Sequence, residues 1–168
     1  MTRAPDLAEP VIAYRTWRAL HGALVSPFLP QRWDADVVVA RCERGDPARF
    51  RHAGTLLDEE HVSPDRRCRC GIHAYLEPRS ALAGVDHRRV LGIVAVWGVV
   101  QVHPEGLRAQ YAQIRALGAS PTWSAWRHRE VAEIAERLGV PMVPEASLPA
   151  TASEFGSPLP AQLRRSPA

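Results

Sequence analysis

Four side chains of the types that bind metal ions lie in the middle of the chain. Cys68 and Cys70 are separated by one residue, His61 precedes them, and Cys42 lies further upstream. Residues i and i+2 of an extended chain point to the same side, so the two neighbouring sulfurs can converge. Thiolate and imidazole are ligands that zinc prefers, and four of them close a structural site. The four residues therefore predict a zinc site with three cysteines and one histidine.

Other ligand sets stay open at this point. His73 competes with His61 because it follows Cys70 by about one helical turn, and His52 is a weaker competitor. An iron–sulfur cluster is an alternative to zinc, since thiolates also hold such clusters. Because Cys-x-x-Cys is the commoner zinc spacing, buried thiols without a metal and a reactive thiol are further alternatives. A disulfide is not expected, because the chain has three cysteines and no export signal.

A catalytic interpretation centres on Cys70 as a nucleophile or metal ligand. His73 and His103 would lie beside it as a site neighbour or base, and Glu105 would orient the base. The spacing does not require this arrangement, and no nucleophile-elbow motif is present. A turn-capping role is the simpler one for His103. The sequence favours a non-enzymatic protein and keeps a thiol-dependent or metal-dependent enzyme as the alternative.

A third interpretation concerns nucleic acid. Trp123 and Trp126, with Arg127 and Arg129, have the aromatic and basic character of single-strand binding surfaces. The formal net charge of +3 is too small to indicate nucleic-acid binding by itself. An unknown protein partner is therefore the leading expectation, and nucleic acid is the alternative.

The elements that must position the cluster are mostly strands. Runs of β-branched and aromatic residues are typical of strands that pack in a half-buried sheet. They predict strands over residues 11–19, 36–42 and 90–102, a hairpin return over 23–28, and a returning strand over 107–117. A helix is the alternative for the last segment, because Leu107, Tyr111 and Ile114 also fit helical spacing.

Two segments have helical patterns, and one has no periodicity. An apolar stripe predicts a helix over residues 124–138, with Gly139 as its stop signal. Residues 71–83 are also predicted to be helical, with Pro78 dividing the segment. The polar connection over residues 43–67 is long for a compact domain, and a metal ion would be one way to fix it.

These elements predict an α+β fold with a small antiparallel sheet of about five strands and two or three helices. The Cys/His cluster is expected at a strand end and a helix N-terminus. We expect one domain over residues 11–144, a flexible arm over residues 1–10, and a disordered tail over residues 145–168, which is rich in Pro, Ser and Ala. The sequence has neither a long apolar run nor a signal-peptide layout, which predicts a cytoplasmic protein with no membrane partner.

Two motifs resemble the pattern of a family of uncharacterised actinobacterial and phage proteins. The first is H-V-S-P-x3-C-x-C-G-I-H-A from His61 to Ala74, where the family pattern is H-x-A-P-x3-C-x-C-G-I-Y-A. The second is V-W-G-x4-H-x2-G-x-R-A-x-Y-A from Val96 to Ala112, where the family has L-W-G-x-V-x-x-H-x2-G-Y-R-A-x-Y-A. The resemblance covers roughly residues 14–144. It implies a bacterial α+β domain and supplies no activity.

Besides Val96, which stands where the family pattern has a leucine, the chain departs from the family pattern at three positions. Ser63 replaces an alanine and Leu107 replaces a tyrosine, and both changes leave the motifs recognisable. His73 stands where the family pattern has a tyrosine, which favours His61 over His73 as a ligand. Together the residues and the resemblance predict a metal-stabilised binding or regulatory module.

Overall fold

One mixed sheet with short helices around it forms the fold. The computed structural model describes residues 7–27, 31–42, 61–66, 68–82 and 89–164. Within these ranges the strands are β1 (Leu7–Leu20), β2 (Ala23–Val25), β3 (Val38–Val39), β4 (Ile72–Tyr75), β5 (Arg89–Val102), β6 (Gly106–Ala119) and β7 (Met142–Pro144). The helices are α1 (Pro78–Leu82), α2 (Ala125–Leu138), α3 (Leu148–Phe155) and α4 (Ala161–Arg164), and a 3-10 turn, Glu145–Ser147, precedes α3. The α+β class is confirmed, with more strands and helices than expected, and β7 runs parallel to β6.

Three long antiparallel strands, β1, β5 and β6, carry the sheet. The short strand β4 pairs with β6 along its length and with β1 through Tyr14 and Tyr75, so the strand pairing closes into a ring. One face of the strands forms the main core, which includes Trp17, Val94 and Val96. The predicted strands over residues 90–102 and 107–117 are confirmed as β5 and β6.

The strands β3 and β4 lie end to end along one edge of β6. Val39 pairs with Tyr111, and the backbone N–H of Ala40 donates to the carbonyl of Gln110 at 2.7 Å. Ile72 then pairs with Ala109, the next residue along β6. The end of β3 therefore meets the start of β4 along β6, although residues 40–71 separate the two strands in the sequence.

The prediction of a helix from residue 71 is wrong. Ile72 and Ala74 are buried and His73 between them is exposed, which is the alternation of a strand with one face in the core. The helix begins only at Pro78, in the position where proline is best tolerated. The segment before it is too short for its period to be recognised in the sequence.

The prediction of a disordered tail is wrong for residues 145–164. Leu148 and Leu159 are fully buried, and the N–H of Ile12 donates to the carbonyl of Ser157 at 2.9 Å. The composition of this segment, rich in Pro, Ser and Ala, led to the prediction of disorder because Leu148 and Leu159 are isolated apolar residues within it. The predicted arm is also shorter than expected, because β1 begins at Leu7, and residues 1–6 lie outside the described ranges.

The helix predicted over residues 124–138 is confirmed as α2. The Ser124 side chain accepts a hydrogen bond from the N–H of Arg127, and Gly139 ends the helix with φ of 65°. Within the described ranges, the helices are all too short or too polar to cross a membrane.

Candidate metal centre

The structure brings Cys42, His61, Cys68 and Cys70 together. One ligand atom from each side chain lies within 4.8 Å of the ligand atoms of the other three. The Sγ atoms of Cys42 and Cys68 are 3.6 Å apart, and Nε2 of His61 is 3.3 Å from Sγ of Cys70. In a tetrahedral zinc site the bonds are about 2.3 Å to sulfur and about 2.0 Å to nitrogen, so two sulfur ligands lie about 3.8 Å apart and a sulfur and a nitrogen ligand lie about 3.5 Å apart. The group has the donor types and the size to hold a metal ion.

Strand pairing on β6 positions these ligands. Cys42 follows the end of β3, and Cys68 and Cys70 directly precede β4. Because β3 and β4 meet along the same edge of β6, residues distant in sequence arrive at one place. The cluster therefore lies at two strand ends, and the predicted helix N-terminus is not part of it.

The four ligands differ in exposure. Cys68 is buried, while Cys42, His61 and Cys70 are half-buried. The three cysteines are free thiols, and the separation of 3.6 Å between Sγ of Cys42 and of Cys68 is far longer than a disulfide bond of about 2.05 Å. The candidate metal centre therefore lies near the surface, with Cys68 as its one buried residue.

Local hydrogen bonds favour the thiolate form of Cys68. Burial alone raises the pKa of this thiol, but hydrogen bonds from the Cys70 backbone and from the side chains of Cys42, Cys70 and His61 outweigh burial and lower the pKa to about 7. The thiolate is the form that binds metal ions. A substantial fraction of the Cys68 side chain is therefore in the metal-binding thiolate form at neutral pH.

Arg108 of β6 binds the backbone of the ligand loop, the segment 68–71 that carries Cys68 and Cys70. Its Nη1 donates to the carbonyl oxygens of Cys68 and of Cys70, the latter at 3.3 Å. Its Nη2 donates to Oε1 of Gln101 at 2.5 Å, and Nε2 of Gln101 donates to the carbonyl of Pro64 at 3.3 Å. The pattern of ligand-type residues does not include this arginine. The available signal was a charged residue between two apolar residues, Leu107 and Ala109, at the start of the predicted strand over residues 107–117.

Gly71 allows the loop to approach the sheet closely. Its φ is +120°, a conformation that side-chain-bearing residues rarely adopt. A methyl carbon at this position would lie 2.9 Å from Cβ of Pro64 and 3.0 Å from Cβ of Arg108. The glycine in the Cys-x-Cys-Gly motif is therefore required by both conformation and space.

The alternative site residues have other partners. Nε2 of His73 is 3.2 Å from the carbonyl of Arg69. Nε2 of His103 accepts a hydrogen bond from Nε of Arg108 at 3.2 Å, because a guanidinium has only donors. Neither histidine belongs to the ligand group around Cys70. His52 lies outside the described residues.

The aromatic and basic patch lies elsewhere, at the start of α2. Trp126 is 64% exposed and lines a groove of about 1020 Å³, together with Trp123 and Arg129. Arg127 is less available, since it binds Glu130 at 2.7 Å and the carbonyl of Ala19 at 2.9 Å. The groove therefore combines one exposed indole with a mixture of positive and negative charges.

Comparison with known proteins gives no match: no protein-family model, no curated protein and no solved structure is similar enough to the chain. The family resemblance of the two motifs stays a prediction.

Proposed function

We propose that this protein is a metal-stabilised binding or regulatory module in which Cys42, His61, Cys68 and Cys70 bind one zinc ion. The observation that carries the proposal is the convergence of four ligand atoms within 4.8 Å. Three thiolates and one imidazole form a common ligand set of structural zinc sites.

A single ion fits the spacing better than an iron–sulfur cluster. A cluster places several irons and inorganic sulfides between its protein ligands, which separates those ligands widely. The Cys42–Cys68 and His61–Cys70 distances, 3.6 and 3.3 Å, are close to the edges of one coordination tetrahedron, and all four ligand atoms lie within 4.8 Å of one another. Soft thiolate ligands in tetrahedral array favour zinc among the common single ions.

Four protein ligands also favour a structural role over a catalytic one. Catalytic zinc keeps one position open for water or substrate, whereas four protein ligands fill the tetrahedron. The ion would join the end of β3 to the start of β4 and so close the intervening loop at its base. Closing a loop restricts the unfolded chain, and the free energy of metal binding adds to the free energy of folding.

Exposed apolar residues in the segments that carry two of the proposed ligands support a protein as the partner. Val37, Val39 and Val62 are 40%, 44% and 65% exposed, and they lie in the segments that carry Cys42 and His61. Exposed apolar side chains that adjoin one another are typical of interaction surfaces. A reducing compartment such as the cytoplasm would keep the three thiols available for the metal.

The experiment that tests this function is thermal unfolding with and without a strong chelator. The melting temperature should fall when the metal is removed and recover when zinc is returned. The Cys68→Ser/Cys70→Ser double variant should melt at a lower temperature and should not respond to the chelator. A wild-type melting temperature that chelation leaves unchanged would contradict the proposal.

The exposed Trp126 beside Arg129 supports a second function, binding of single-stranded nucleic acid. A thymidine oligonucleotide should then quench tryptophan fluorescence, and the affinity should fall steeply with added salt. Trp126→Ala should weaken this binding. Absence of quenching at low salt would exclude the groove as such a site.

A further inference from the structure

Arg108 is a buried cation whose hydrogen-bond partners in the described part of the chain are all neutral. It is only 7% exposed, although it is the third residue of β6 and so lies near the start of the strand. Among the described residues its hydrogen-bond partners are two backbone carbonyls, the Gln101 amide and the His103 imidazole. A guanidinium keeps its charge in proteins. The carbonyls and the amide solvate this charge, but none of them neutralises it.

A buried charge without a counter-charge is costly, so an anion beside Arg108 would lower this cost. Arg108 binds the backbone carbonyls of Cys68 and Cys70, and the thiolates of these two residues can provide the negative charge. A Zn²⁺ ion with three thiolates and a neutral imidazole has a net charge of −1. This charge is equal and opposite to that of the guanidinium.

We propose that Arg108 is the positioning residue and counter-charge of the metal centre. Nη1 of its guanidinium holds the carbonyls of two ligand residues in place while Nη2 and Nε are bound to Gln101 and His103, and its charge stabilises the anionic metal–thiolate complex. The inference depends on the proposed function, because it assigns a role to a residue around that same ion.

Arg15 provides a matched control. It is also a buried arginine with neutral partners, at 9% exposure. It donates to the carbonyl of His73 and to Oγ of Ser26, the latter at 2.8 Å, and its guanidinium lies 4.7 Å from the centre of the Trp33 ring. None of these partners is a proposed metal ligand. Substituting Arg15 should therefore weaken the fold without acting on the metal.

The test compares Arg108→Met with Arg15→Met, and Arg108→Lys with Arg15→Lys. Zinc affinity would be measured by competition with a chromophoric chelator, and folding would be checked by circular dichroism. Arg108→Met should lower zinc affinity at least tenfold. Arg108→Lys, which keeps the charge but loses the guanidinium, should show a smaller loss. Both Arg15 variants should bind zinc within about twofold of the wild type while melting at a lower temperature.

The pairs keep the result decisive if a methionine variant does not fold, because the lysine pair then answers the same question. The inference is overturned if a folded Arg108 variant binds zinc as tightly as the wild type. It is also overturned if the matched Arg15 variant loses as much affinity. Failure of the wild-type protein to bind zinc would instead refute the proposed function, so the two failures are distinguishable.

Discussion

Single residues carry the chemistry of this protein, and their types are visible in the sequence. Sulfur and imidazole bind metals through properties of the side chain alone, so residue type and spacing predicted Cys42, Cys68 and Cys70 with one histidine as a set. The family resemblance was needed to favour His61 over His73 as that histidine. The role of Arg108 could not be identified in the same way. It depends on a strand register that aligns this side chain with a loop forty residues earlier in the chain.

The choice of His61 over His73 as fourth ligand is testable at this scale. His61→Ala should lower zinc affinity by at least tenfold, because Nε2 of His61 is the one imidazole nitrogen in the ligand group. His73→Ala should leave affinity close to wild type, since the ring of His73 contacts the carbonyl of Arg69 instead. Chelator competition on both variants measures the difference. Equal losses would show that the fourth ligand is misassigned.

Protonation of His103 should oppose folding. Burial lowers its pKa, and the neighbouring Arg108 lowers it further, so the folded protein binds this proton less readily than the unfolded chain. The resulting stability is fully present above the ordinary histidine value of about 6.5 and is lost as the pH falls below it.

Urea unfolding at pH 7.5 and pH 5.5 checks the effect of His103. His103→Gln retains an acceptor for Arg108 but cannot become charged. The wild type should lose more stability than this variant on acidification, and metal release at low pH acts on both proteins alike. An equal loss of stability in the two proteins would contradict the assignment of this pH dependence to His103.

At the scale of elements, the long strands and α2 were predicted because their periods extend over many residues. The strand β4 was missed because four residues give little period, although Pro78 divided the predicted helical segment at the residue where the helix begins. The ordered tail was missed because its two anchors, Leu148 and Leu159, are isolated in a polar and proline-rich segment. Short elements held by tertiary contacts have weak local signals.

Gly71, at the junction of the ligand loop and β4, should not tolerate a side chain. Gly71→Ala places a methyl group against Pro64 and Arg108 and forces an unfavourable backbone conformation. We expect a loss of about 1–3 kcal/mol in the free energy of unfolding, together with weaker zinc binding. Gly139→Ala, in the open C-cap of α2, is the control: it should reduce stability without changing zinc affinity.

The packing of α3 on the sheet should contribute measurably to stability. Leu148 is fully buried in a second hydrophobic cluster, separate from the main core, which also contains Leu91 and Ile93. Leu148→Ala should therefore lower the free energy of unfolding by about 2–5 kcal/mol, as for other buried leucines. Exposed Leu20 provides the comparison, and Leu20→Ala should have a much smaller effect. Equal effects in urea unfolding would mean that α3 does not pack as described.

At the scale of the whole molecule, the sheet explains why a metal would be used. The strands β3 and β4 act as two halves of one edge of β6, although residues 40–71 separate them in the sequence. The strand and helix patterns predicted the α+β class, but they could not show that both halves pair with the same strand. The closure of this loop at the ligand cluster is the property from which the proposed function follows.

The most direct test of the account is the metal content of the purified protein, determined by elemental analysis together with native mass spectrometry. One zinc ion per chain is the predicted result, with none in the Cys68→Ser/Cys70→Ser variant. A folded wild-type protein that contains no metal after expression with added zinc, or a double variant that retains the wild-type content, would contradict it.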